Sequence, residues 1–149
     1  MTARPARDPP GRAPGTRRSR AARERALRRI EAGRFIVRLA EDEADVAAAQ
    51  RLRYRVFVEE MGAVPSDEDA ARRRESDRYD PYFDHLLLVD SDCDDPDRER
   101  GVVGVYRLMT RARARAGIGF YGATEYDLSK LDAFAEETLE LGRSCVDAA

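Results

Sequence analysis

The chain has no tryptophan, one histidine (His85), one lysine (Lys130) and two cysteines (Cys93 and Cys145) in 149 residues. Each scarcity narrows the chemistry. The two cysteines sit at no metal-ligand spacing, so no metal is expected, and so few thiols fit a reduced, cytoplasmic setting. No glycine-rich phosphate loop occurs, and nothing marks a nucleophile elbow for a Ser-His-Asp triad. No apolar run approaches the ~20 residues a membrane span needs. The start, "MTARPARDPPGRAPGTRRSR", lacks the apolar core of a secretory signal. There are no internal repeats.

What is present is charge. Charged residues make up 38% of the chain and hydrophobic residues 42%, with a net charge of −2. That balance hides a division. Residues 1–30 hold ten arginines against Asp8 and Glu24, about +8, so the remainder carries about −10. Every basic residue but Lys130 is arginine, a pattern that coding bias explains as well as chemistry does. The placement of arginines therefore says more than their number.

Residues 1–33 read as a disordered or partly helical Arg-rich arm, with a basic helix from about 20 to 32 and Gly33 as its stop. Such an arm can meet anionic lipid or an acidic carrier protein. The folded domain spans 34–149. "RFIVRLA" (34–40) alternates as a strand. Residues 41–63 read as a helix, with Asp42, Glu43 and Asp45 at its positive end and Val46, Ala49, Leu52, Val56 and Met61 as an apolar stripe. Residues 64–84 form a long charged connection. "HLLLVD" (85–90) and "VVGVYRLM" (102–109) answer each other as strands across a polar loop, and "TRARARAGIG" reads as another loop. "DAFAEETLELGRSCV" passes from a short helical turn into a last strand. This order predicts an α+β fold around a mostly antiparallel sheet.

Several motifs fail as sites. "DSDCD" starts like a calcium loop, but Asp95 replaces the required glycine and Gly101 the bidentate acid. Cys145 in an alternating strand reads as core. Other placements carry more. Arg53 and Phe57 lie four apart on one helix face. "ESDRYD" supplies Glu75, Asp77 and Asp80. Arg107 interrupts an apolar strand, and Arg143 does the same in a row formed by Leu139, Leu141 and Cys145. Each charge taken singly reads as a structural salt bridge. Two such arginines beside a carboxylate-rich loop also read as a site for a zwitterionic substrate.

As a set, "RYRVFVEEMG", "RYDPYFDHLLLVD", "VVGVYRLM", "GFYGATEYDLSKL" and "ELGRSCV" resemble the ornithine N-alpha-acyltransferases. These belong to the GNAT superfamily and are similar to the acyl-homoserine-lactone synthases. The resemblance covers roughly residues 34–146. It implies the N-terminal part of a GNAT-like α+β fold, an α/β sandwich type. It also implies transfer of a 3-hydroxyacyl group from acyl carrier protein to the alpha-amine of L-ornithine, the first step of ornithine-lipid synthesis. The donor is a phosphopantetheine thioester, no bound cofactor is implied and no nucleic acid is expected. By similarity to the lactone synthases, Arg53, Phe57, Glu75, Asp77, Asp80, Arg107, Glu140 and Arg143 shape the site. The carboxylates are expected to hold ammonium groups, and Arg107 or Arg143 to hold the carboxylate or order the loop. Glu140 is the first candidate for base or water-positioner. His85 is the second, with strand-start packing beside Asp84 as its equal alternative. The lactone synthases carry a tryptophan where this chain has Ala63, so the pocket need not match theirs.

In a GNAT fold the strand matching "LELGRSCV" is followed by a loop and helix that grip the donor. Only "DAA" follows it here. The expectation is an incomplete GNAT-like domain over 34–149, cytoplasmic, with peripheral contact to the inner membrane through the arm. The alternatives are an acyl-homoserine-lactone synthase, an enzyme completed by a partner chain, and a non-catalytic module binding carrier protein or membrane.

Overall fold

The computed structural model describes residues 29–148. Most of the predicted arm, residues 1–28, lies outside the described residues. Its last residues are not helical: Arg29–Ala32 form strand β1, with Gly33 in the turn to β2 (Phe35–Leu39). Alternating residues in "RFIVRLA" then place Ile36 and Arg38 on the inner face of β2, beside Val89 and Leu87 of β3 (Asp84–Asp90). β4 (Val102–Thr110) and β5 (Leu139–Val146) complete a five-stranded sheet in sequence order, every neighbour antiparallel. The predicted α+β class holds.

Helix α1 (Glu43–Arg53) lies between β2 and β3 in the chain. Asp42 caps it by accepting the Asp45 N–H at 2.8 Å. Asp45 does more than complement the helix dipole. It is buried, and Arg38 grips it with two bonds, 2.5 and 2.8 Å, while Arg100 adds a third at 2.6 Å. One carboxylate thus ties α1 to β2 and to the turn before β4. Ala48, Ala49, Leu52 and Val56 pack on Leu87, Val89, Val102, Val105 and Cys145 to form the main core.

Tyr54–Glu60 continues α1 as a π-helical turn. The wider turn breaks the predicted stripe, so Met61 is 71% exposed instead of buried. The charged connection contains a second helix, α2 (Asp67–Arg72), capped by Ser66. "RARARA", read as loop, is helix α3 (Arg111–Ala116), capped by Thr110. Its Ala114 joins Tyr79, Phe83, Met109 and Phe120 in a smaller core. Alternating alanine and arginine gave no apolar stripe; the high helix propensity of both, the Thr110 cap and the packing of Ala114 select helix there.

β5 departs from simple alternation. Val105 opposes Cys145 and Arg107 opposes Gly142, so Arg143 and Ser144 together face Tyr106 in a β-bulge. Arg143 takes φ 51°. The predicted single row is therefore split: Leu139 and Leu141 share one face, Cys145 enters the core on the other, and Arg143 stands in the bulge.

Candidate active site

Three arginines and three carboxylates predicted from separate stretches meet beneath α1. Arg53, from the end of α1, has a fully buried side chain. Its Nε donates to Glu75 at 2.5 Å, and its Nη2 donates to Asp80 at 2.7 Å and to the Glu75 carbonyl at 2.6 Å. Arg107, from the middle of β4, donates to Asp77 at 2.8 Å and Asp80 at 2.6 Å, and its guanidinium lies 4.5 Å from the centre of the Phe83 ring. Arg143 reaches from the bulge to Glu75 at 3.1 Å and Asp77 at 3.7 Å. Formal charges cancel across the six. Burial at this depth is tolerable only because each charge is paired and hydrogen-bonded.

Burial alone would push the Asp80 carboxyl up. The Arg53 guanidinium, aided by bonds from Arg53, Arg107 and Gln50, outweighs it and holds the carboxyl below the ordinary carboxylate range. Desolvation likewise works against the Arg107 charge, and Asp77 and Asp80 overcome it. Gln50, which donates to Asp80 at 2.8 Å, was not singled out in the sequence. Its spacing of three from Arg53 on one helix face was the available signal.

Asp80 faces inward onto arginines and organises side chains; Asp77, Glu75 and Arg143 are partly open, and of these Glu75 and Arg143 reach a cavity. Those two form one wall of this cavity, which has a volume of about 540 Å³. Phe57, Val58, Met61, Val64 and Pro65 line its apolar side, supplied by the π-helical turn and the loop after it, with Ala63 where a tryptophan was absent. Asp69 and Ser76 complete the polar rim, and Asp69 accepts both the backbone N–H and the hydroxyl of Ser76. Sequence reading missed these two because their pairing depends on the fold of the 64–84 connection. The cavity has the paired Arg143 and Glu75 on one wall, a second carboxylate, Asp69, at its rim, and an apolar wall. That arrangement can hold a small zwitterion with a hydrocarbon side chain.

Of the two proton-transfer candidates, neither lines this cavity. His85 is buried on β3, with Nε2 3.4 Å from the Asp80 carbonyl oxygen and Nδ1 without a hydrogen-bond partner among the described residues. Burial, opposed by Asp80 and aided by Arg53, pushes its pKa down, so the ring is neutral near pH 7. It faces a separate hollow with Glu41 and Arg74. Glu140, on β5, accepts the backbone N–H groups of Tyr121 at 2.9 Å and Gly122 at 2.6 Å. Cys145 is a core residue whose thiol burial pushes up to about 12, which removes it as a nucleophile.

A family model described as acetyltransferase (GNAT) domain matches residues 52–149. The chain is 46% identical over 116 residues to an L-ornithine N(alpha)-acyltransferase of Brucella abortus, covering 76% of this chain and 41% of that protein. It is 50% identical over 113 residues to the protein of the same name from Rhodobacter capsulatus, covering 75% and 43%. A third, from Agrobacterium fabrum, is 45% identical over 116 residues, covering 76% and 39%. The chain thus spans about two fifths of the length of these curated relatives. Among solved structures, the AHL synthase LasI aligns over 77% of this chain and 54% of its own, at 19% identity and a TM-score of 0.47.

Proposed function

Because the chain belongs to the acetyltransferase (GNAT) domain family, we propose that it holds the amino-acid acceptor of an N-acyltransferase, with L-ornithine as the acceptor. The observation that carries this reading is the cavity between Phe57 and Arg143, with a guanidinium, two carboxylates and an apolar wall in one space. Arg143 suits the ornithine carboxylate, since a guanidinium can bind a carboxylate with two parallel bonds. Glu75 and Asp69 suit its ammonium groups, and the apolar wall suits its methylenes. The names of the relatives support the same acceptor.

The reaction is the attack of the neutral α-amine on a thioester carbonyl carbon. A C–N bond forms, the C–S bond breaks, and the proton lost by the amine ends on the departing thiol. We take the donor to be a 3-hydroxyacyl thioester of acyl carrier protein. The ten arginines of residues 1–30 suit an acidic carrier or anionic headgroups, and they favour a cytoplasmic site at the inner membrane surface.

The test is release of free thiol from 3-hydroxyacyl carrier protein by the purified protein, with ornithine, lysine and S-adenosylmethionine as rival acceptors. Thiol release with ornithine, and a product whose mass equals ornithine plus the acyl group, are expected. Turnover with S-adenosylmethionine and none with ornithine would overturn the reading in favour of a lactone synthase.

A further inference from the structure

Both oxygens of the Glu140 carboxylate are occupied by backbone. They accept the Tyr121 and Gly122 N–H groups that open the turn Tyr121–Thr124. That turn has no side-chain cap of its own at Phe120, so a strand distant in sequence supplies one. Gly122 is fitted to this contact, because a Cβ there would come within 3.0 Å of the Glu140 Oε1. The turn in turn fixes Tyr121. Its ring meets Tyr79 edge-on with centroids 5.3 Å apart, and the Arg143 guanidinium lies 5.9 Å from its centre. Arg143 then reaches Glu75 and the cavity.

We propose that Glu140 is a positioning residue: it clamps the 121–124 turn so that Tyr121 holds Arg143 at the acceptor cavity. The effect on catalysis rests on the acyltransferase reading above; the clamp itself does not. Glu140 meets backbone and not substrate. Its influence on the acceptor passes through Tyr121 and Arg143.

Two variants test this, Glu140→Gln and Gly122→Ala, each read by amide hydrogen exchange and by kinetics with ornithine. Gln keeps one acceptor and loses the other, while Ala crowds a carboxylate that keeps its charge. In both, exchange at the Tyr121 and Gly122 amides should rise by about tenfold, the loss expected from one charge-assisted bond. In Glu140→Gln, KM for ornithine should rise by about tenfold with kcat within about twofold and the pH–rate profile unchanged, as for loss of acceptor binding alone. A collapse of kcat with loss of the acidic limb would overturn the proposal and make Glu140 the base. If ornithine supports no turnover in the unaltered protein, the function reading fails alone. Exchange then decides the clamp, and unchanged exchange in both variants overturns it.

Discussion

Asp80 and His85 stand within one hydrogen bond of each other and answer pH in different windows. Asp80 has its folded pKa depressed, with burial opposed and outweighed by Arg53 and Arg107. Its contribution is present above the unfolded value near ~3.9 and is lost as pH falls through the lower folded value. His85 also has a depressed folded pKa, with burial the main cause. Below its unfolded value near ~6.5 the unfolded chain binds a proton that the folded chain refuses, so stability declines as pH falls from there. Urea midpoints from pH 7 to pH 3 should show both steps. His85→Gln should flatten the first. Asp80→Asn should remove the second and cost about 3–5 kcal/mol at pH 7, since Arg53 and Arg107 lose a shared anion. An unchanged midpoint in Asp80→Asn would refute the charge-balanced cluster. At this scale much was legible. Arg53, Glu75, Asp77, Asp80, Arg107 and Arg143 were all marked by charge in apolar or loop settings, and they do meet. Their mutual pairing was not legible, because which carboxylate meets which arginine depends on contacts 22 to 68 residues apart in sequence.

Elements were read best where period and partner agree. β2, β3 and β4 follow their alternation, and α1 follows its stripe as far as Arg53. Beyond Arg53 the π-helical turn changes the period, and it is this turn that sends Phe57, Val58 and the exposed Met61 to the cavity instead of the core. The bulge in β5 has the same character: one extra residue, invisible to a period of two, delivers Arg143 to the carboxylates. The β3–β4 connection depends on Gly101, with φ 66° and an added Cβ only 2.4 Å from the Asp90 carbonyl oxygen. Gly101→Ala should therefore lower the thermal midpoint by several degrees, a loss of roughly 1–3 kcal/mol from backbone strain. A midpoint equal to that of the unaltered protein would mean the connection tolerates another path.

The whole molecule joins two features. The acidic part of the chain gathers its carboxylates into a cluster that arginines neutralise, and the one partly open edge of that cluster borders an apolar-walled cavity. The family resemblance carried by "RYRVFVEEMG" and "ELGRSCV" points to the same place, since these stretches supply Phe57 and Arg143, while "RYDPYFDHLLLVD" supplies Asp80 of the cluster behind it. Composition alone could not have located it, because arginine is everywhere in this sequence. The central claim is that ornithine binds between Phe57 and Arg143. Titrating ornithine into isotopically labelled protein, and following backbone amide shifts, tests it most directly. The account predicts saturable shifts centred on Phe57, Val64, Ser76 and Arg143, and binding weakened by about tenfold or more in Arg143→Met, the loss of a charge-assisted bond. Shifts centred instead on the hollow around Glu41, Arg74 and His85, or equal affinity in Arg143→Met, would contradict it.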